Sequence, residues 1–140
     1  MKKIVVLIFV SMIFLSCESK LSTDEKPNVS KYEKALSLAK ESHKIIMLKL
    51  TSSDCHYCKK MERTVMLNRE VRSLLNKHFI PVNIDVEKDE LPRGLKHKVT
   101  PTFFFINKDK KIISKIQGAW NKQDFIELLE MVLKKVKGEK

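Results

Sequence analysis

Residues 45–50 read Ile45-Ile46-Met47-Leu48-Lys49-Leu50, an apolar run broken only once, and a run of that kind suits a strand buried on both faces. Such a strand belongs in the middle of a sheet covered by helices. The flanking patterns supply the cover. Upstream, Tyr32, Ala35, Leu36, Leu38 and Ala39 recur at helical spacing between Ser30 and His43, with Ser30 as N-cap. Downstream, the polar loop at residues 51–54 leads into a helix from about His56, with Met61, Val65 and Met66 inward. Asn68 can cap a further helix in which Val71, Leu74 and Leu75 face inward, ending near His78. Ile80, Val82, Ile84 and Val86 then alternate with Pro81, Asn83 and Asp85, a strand with proline near its start. Residues 88–98, charged and holding Pro92 and Gly94, predict a short helix or an irregular segment. Thr102 to Ile106 is a second buried strand, residues 107–110 a turn, and Ile112, Ile113 and Ile116 the returning arm of a hairpin. Asn121 can cap a last helix reaching about Val136, with Phe125, Leu128, Leu129 and Val132 at helical spacing. The order predicts an α/β fold, a central mixed sheet with helices on both faces.

A chain of 140 residues buries one ordinary core, so a single domain is expected over residues 31–140. Ahead of it, Lys2 and Lys3 precede an apolar run over residues 4–15 that ends at Ser16 and Cys17. That is the layout of a signal peptide, residues 1–16, and its run of about 12 residues falls short of the roughly 20 that a spanning helix needs. The sequence Phe14-Leu15-Ser16-Cys17 resembles the lipobox of bacterial lipoproteins, although leucine stands two places before the cysteine where the motif usually has it three places before. The resemblance implies a lipidated Cys17 as mature N-terminus, a flexible polar tether over residues 17–30, and anchoring to a membrane in the periplasm. The alternative is ordinary signal-peptidase cleavage nearby. A lipid would also account for the odd number of cysteines, three.

The formal charge of +11 loses Lys2 and Lys3 with the leader and becomes +9. Nucleic acid is not the expected partner, because export removes the chain from it and no aromatic residues interleave the lysines as stacking platforms. A solvated lysine-rich surface is the plainer reading, with attraction to anionic headgroups beneath the tether as the alternative.

Cys55-His56-Tyr57-Cys58 carries the chemistry. Two cysteines separated by two residues at a helix start can close a small disulfide ring, and the helix N-terminus favours the thiolate of the first. Exchange needs one thiolate to attack and a second to resolve, so spacing and position fit that reaction. A zinc site would call for two more ligands at matching spacing, and His43, His78 and His97 are scattered. Lys59 in place of histidine after Cys58 argues against haem attachment. His56 beside Cys55 either favours the thiolate or faces solvent with little effect.

With this pair upstream and the element order above, Thr100-Pro101-Thr102 before a buried strand resembles the cis-proline loop of the thioredoxin superfamily. Residues 31–137 follow the same plan, a thioredoxin-like fold. Within the superfamily the chain is similar to periplasmic thioredoxin-like proteins of the DsbD C-terminal type. The residues that carry this are Ser53 to Glu62, Asn68-Arg69-Glu70-Val71, Phe79 to Val86, and Gln117-Gly118. The resemblance implies Cys55 as attacking thiol, Cys58 as resolving thiol, and Thr100, Pro101, His56 and Tyr57 as the surface that meets substrate. Its members usually carry a buried acid six places before the first cysteine, where this chain has Lys49. Lys49 and Glu62, one turn after Cys58, are therefore the residues expected to tune the thiols, Glu62 as substitute proton acceptor or simply as an exposed glutamate. Trp120 reads as packing near the last helix. The expected function is an extracytoplasmic thiol:disulfide oxidoreductase and reductase of protein disulfides, a monomer needing no metal or organic cofactor. Its expected partners are protein disulfide substrates and a membrane thiol:disulfide electron donor. The alternative is a copper or zinc carrier using the same two cysteines.

Overall fold

A computed structural model describes residues 27–138 of the chain. Strand β1 (Ile45–Thr51) lies inside a four-stranded sheet and is buried along six of its seven residues, as its apolar run requires. It pairs in parallel with β2 (Phe79–Asp85) and antiparallel with β3 (Thr102–Ile106), which pairs antiparallel with β4 (Ile112–Gln117). The spatial order is β2-β1-β3-β4. Parallel strands need a long crossover, supplied here by α2 (His56–Met61), a π-helical turn (Glu62–Met66) and α3 (Arg69–His78). Pro81, which cannot donate to a ladder, is tolerated because β2 lies at the sheet's edge.

Successive side chains of a strand point to opposite faces, so β1 serves two cores. Ile45 and Met47 pack with Phe79, Phe103, Phe105 and Phe125 beneath α2, α3 and the last helix, α4 (Lys122–Gly138). Ile46, Leu48 and Leu50 pack with Phe104 and Ile106 against Tyr32, Ala35, Leu36 and Ala39 of α1 (Pro27–Ser42). The rings of Phe79 and Phe105 lie 5.7 Å apart and those of Phe103 and Phe125 5.4 Å apart. Each fully buried phenylalanine contributes roughly 1.5–3 kcal/mol through apolar area alone. Lys49 shares the face of Ile45 and Met47 and is nonetheless buried, at 8% exposure.

Helix α1 begins at Pro27, before the expected Ser30 cap, so residues 27–30 form its first turn and are not tether. Proline suits that turn, whose N–H groups lack intrahelical partners in any case. The other caps follow expectation. Asn68 Oδ1 accepts from Glu70 N at 3.0 Å, and Asn121 Oδ1 accepts from Asp124 N at 2.9 Å. Residues 88–98 are irregular. His43 ends α1 with φ of 56°, and His78 ends α3. Desolvation, then the charges of Lys77, Lys137 and Lys44, hold the His78 pKa below its usual value. No helix among the described residues is long and apolar enough to cross a membrane. The expected leader at residues 1–16 and Cys17 lie outside the described residues.

Candidate active site

The chain leaves β1 through a short polar loop and starts α2 at His56, with Cys55 as N-cap. Cys55 Sγ accepts from Cys58 N at 3.0 Å, so a backbone donor of the helix start points at the first sulfur. Cys55 and Cys58 are bonded to each other as a disulfide, each residue 9% exposed. Equally exposed, the two differ in position, Cys55 as N-cap and Cys58 inside the first turn. His56 and Tyr57 face solvent, their rings edge to face at 5.8 Å.

The loop before β3 comes to the same place. Thr100–Pro101 is a cis peptide, and the hydroxyls of Thr100 and Ser52 are 3.2 Å apart, joining this loop to the one that carries Cys55. Thr102 Oγ1 donates to Val99 O at 2.6 Å, and Gly118 N donates to Pro101 O at 2.8 Å. Gly118 has φ of 85°, a backbone region that favours glycine, so the chain turns there directly beneath Pro101.

Lys49 and Glu62 meet. The Lys49 ammonium donates to Glu62 Oε2 as an ion pair, the lysine side chain 10% and the glutamate side chain 46% exposed. Both line a pocket of about 510 Å³ that Cys58 also lines. A buried cation without an anion is costly, so the pair explains how Lys49 is tolerated inside the strand. Glu62 opens the π-turn, where Leu67 N donates to Glu62 O at 3.0 Å, five residues back. Such turns occur often at functional sites.

Two features of the site are not legible in the sequence. Trp120 does stand near α4, but it is 36% exposed and lines a groove with Tyr57. Asp85, at the end of β2, braces the loop before Cys55: Ser53 Oγ donates to Asp85 Oδ2 and Glu87 N donates to Asp85 Oδ1, both at 3.1 Å. The register places Asp85 opposite Thr51, so this brace was visible only once the parallel pairing was known. The hydrogen bond from Glu87 N holds the Asp85 carboxyl below its usual pKa of 3.8, desolvation opposes it, and Ser53 and Lys88 assist. Among the described residues no group of three or more His, Cys, Asp or Glu is placed to hold a metal ion.

Comparison with known proteins gives the same architecture. A thioredoxin from Thermus thermophilus shares 26% identity over 73% of this chain and 83% of its own, with a TM-score of 0.61. A structure named DsbH oxidoreductase is 23% identical, covering 74% and 82%, with a TM-score of 0.57. The reduced DsbD C-terminal domain of Neisseria meningitidis is 20% identical, covering 74% and 95%, also at 0.57. No curated protein matches the chain. The family described as thioredoxin-like domain matches residues 32–133, most of the described fold, with Cys55 and Cys58 inside it. The chain therefore belongs to the thioredoxin-like family, as a thiol:disulfide oxidoreductase with a Cys55–Cys58 redox pair.

Proposed function

We propose that the protein reduces disulfides of other proteins outside the cytoplasm, with Cys55 attacking and Cys58 resolving. The observation that carries the proposal is the Cys55–Cys58 bond at the start of α2 beside the Thr100–Pro101 loop. In the reduced protein the Cys55 thiolate attacks one sulfur of the substrate disulfide, forms a mixed disulfide and expels the other substrate sulfur as thiolate. Cys58 gives up its proton and attacks Cys55 Sγ. The Cys55–Cys58 bond closes, and the second substrate sulfur leaves as thiolate. Two electrons have passed from the cysteine pair to the substrate, and a dithiol donor restores them by the reverse exchange. The backbone donor on Cys55 Sγ supports Cys55 as the thiolate. No metal or organic cofactor enters these steps. Thr100 and Pro101, with His56 and Tyr57, form the surface proposed to meet the substrate.

The direction rests on compartment. Lys2, Lys3 and the apolar run over residues 4–15 support export, and disulfides form readily in exported proteins, so a reductant fed by a membrane donor has work to do there. Phe14 to Cys17 supports lipid attachment at Cys17 after removal of residues 1–16, which would hold the domain at the periplasmic face of a membrane. Acid quenching and alkylation of whole cells tests the direction. A reductase stands mostly as the Cys55/Cys58 dithiol at steady state, and a protein found fully as disulfide is not one. Mass spectrometry of the membrane fraction is expected to find an acylated peptide starting at Cys17; a mature form that starts elsewhere without lipid contradicts the anchor.

A further inference from the structure

Two large side chains are left in water beside the redox pair. Tyr57 is 63% exposed and Trp120 36% exposed, and the two line one groove of about 370 Å³ together with Lys60, Met61, Thr64 and Lys122. That volume lies at the small end of ligand pockets, the size for a single side chain. Trp120 does not reach this place by chance fraying. Two residues before it, Gly118 turns at positive φ and its N–H is tied to Pro101 O; one residue after it, Asn121 caps α4. The backbone that carries Trp120 is thus held on both sides, by the Thr100–Pro101 loop and by the start of the last helix. Exposed aromatic side chains on a held backbone at a reactive face offer a partner a large area to cover, and Trp and Tyr are enriched among the residues that dominate binding energy at protein contacts.

Two lysines stand at the groove's edge. Lys60 is exposed and has no carboxylate partner among the described residues. Lys122 is bound to Glu70 at 3.1 Å. A groove walled by two exposed aromatic rings, with the Lys60 ammonium at its edge, complements a large apolar side chain next to a carboxylate.

We propose that Trp120, Tyr57 and Lys60 form a specificity subsite for a protein segment in which an aromatic or large aliphatic residue and then an acidic residue follow the cysteine that Cys55 attacks. The inference rests on the proposed exchange with protein disulfides and names the substrate class within it. The occupant is an extended polypeptide segment, whose side chain enters the groove beside Tyr57 while its carboxylate meets Lys60.

Full-length reduced protein is mixed with disulfide-linked dimers of three short peptides, in which the cysteine is followed by Trp-Glu, by Trp-Lys or by Gly-Gly. Rates come from acid quenching and alkylation, each divided by the rate with hydroxyethyl disulfide. The Trp-Glu peptide is expected to react about tenfold faster than Gly-Gly on this scale, the gain of one well-placed aromatic contact. Trp120→Ala should reduce that ratio to near one, and Trp120→Phe should restore most of it. Lys60→Glu should invert the order of Trp-Glu and Trp-Lys, an effect that fades as salt is raised. Equal normalised rates for the three peptides overturn the subsite, as does a preference that Trp120→Ala leaves in place. Failure to react with hydroxyethyl disulfide itself removes the underlying exchange reading, and the subsite with it.

Discussion

Lys49 stands where the thioredoxin resemblance implies a buried acid, and its partner Glu62 decides what a cation there does. With Lys49 and Glu62 paired, the pocket beside Cys58 carries one charge of each sign, and their effects on a nearby thiolate oppose each other. Removing either should therefore move the redox couple, in opposite directions. Lys49→Met leaves the carboxylate alone, disfavours the thiolate and makes the disulfide harder to reduce. Glu62→Gln leaves the ammonium, favours the thiolate and makes the protein more oxidising. Each shift is expected to be about one pKa unit of thiolate stabilisation, on the order of 30 mV, read in glutathione buffers. Shifts of the same sign for both variants would contradict the pair's electrostatic role. The Cys55–Cys58 bond was legible from the spacing of the two cysteines, and the cis peptide before Pro101 only through the resemblance of Thr100-Pro101-Thr102 to a cis-proline loop. Lys49 was legible as an interruption of an apolar run, but its bond to Glu62 depends on how α2 lies over β1, which no local pattern records. The exposure of Trp120 is not legible for a related reason: a lone tryptophan suits a packed position equally well, and the turn at Gly118 two residues before it is a feature of the folded loop.

At the scale of elements, the loop before α2 is held by the end of β2 through Asp85. Folding lowers the Asp85 pKa, so the native state binds fewer protons there than the unfolded chain. Its stabilisation is complete above the ordinary value of 3.8 and is lost as pH falls through the lower folded value. Asp85→Asn keeps an acceptor for Glu87 N but removes the charge. The variant should be less stable than the parent at pH 6, with a smaller difference at pH 2, as measured by denaturant unfolding. A gap of the same size at both pH values would assign the effect to shape and not to charge. The strands and helices themselves were legible. Runs such as Thr102 to Ile106 and the spacing of Phe125, Leu128, Leu129 and Val132 leave little choice of element, and Asn68 and Asn121 mark two helix starts. The start of α1 was not, since Ser30 and Pro27 both suit a first turn and the packing of Tyr32, Ala35 and Leu36 fixes the helix without selecting its first residue.

The whole molecule is a sheet with α1 on one face and α2, α3 and α4 on the other, and its purpose is to bring three loops together. These are the Ser52 to Cys55 loop after β1, the Thr100–Pro101 loop before β3 and the Gly118 to Asn121 loop before α4. One side of that junction carries the disulfide, and the proposal is that polypeptide substrates dock there and exchange electrons through Cys55. Trapping in cells tests this directly. Cys58→Ser leaves a mixed disulfide without its resolving thiol, so covalent complexes through Cys55 should accumulate and dissolve on reduction with dithiothreitol. Cys55→Ser should trap almost none. Equal trapping by the two variants, or none by either when both are folded, would contradict the account.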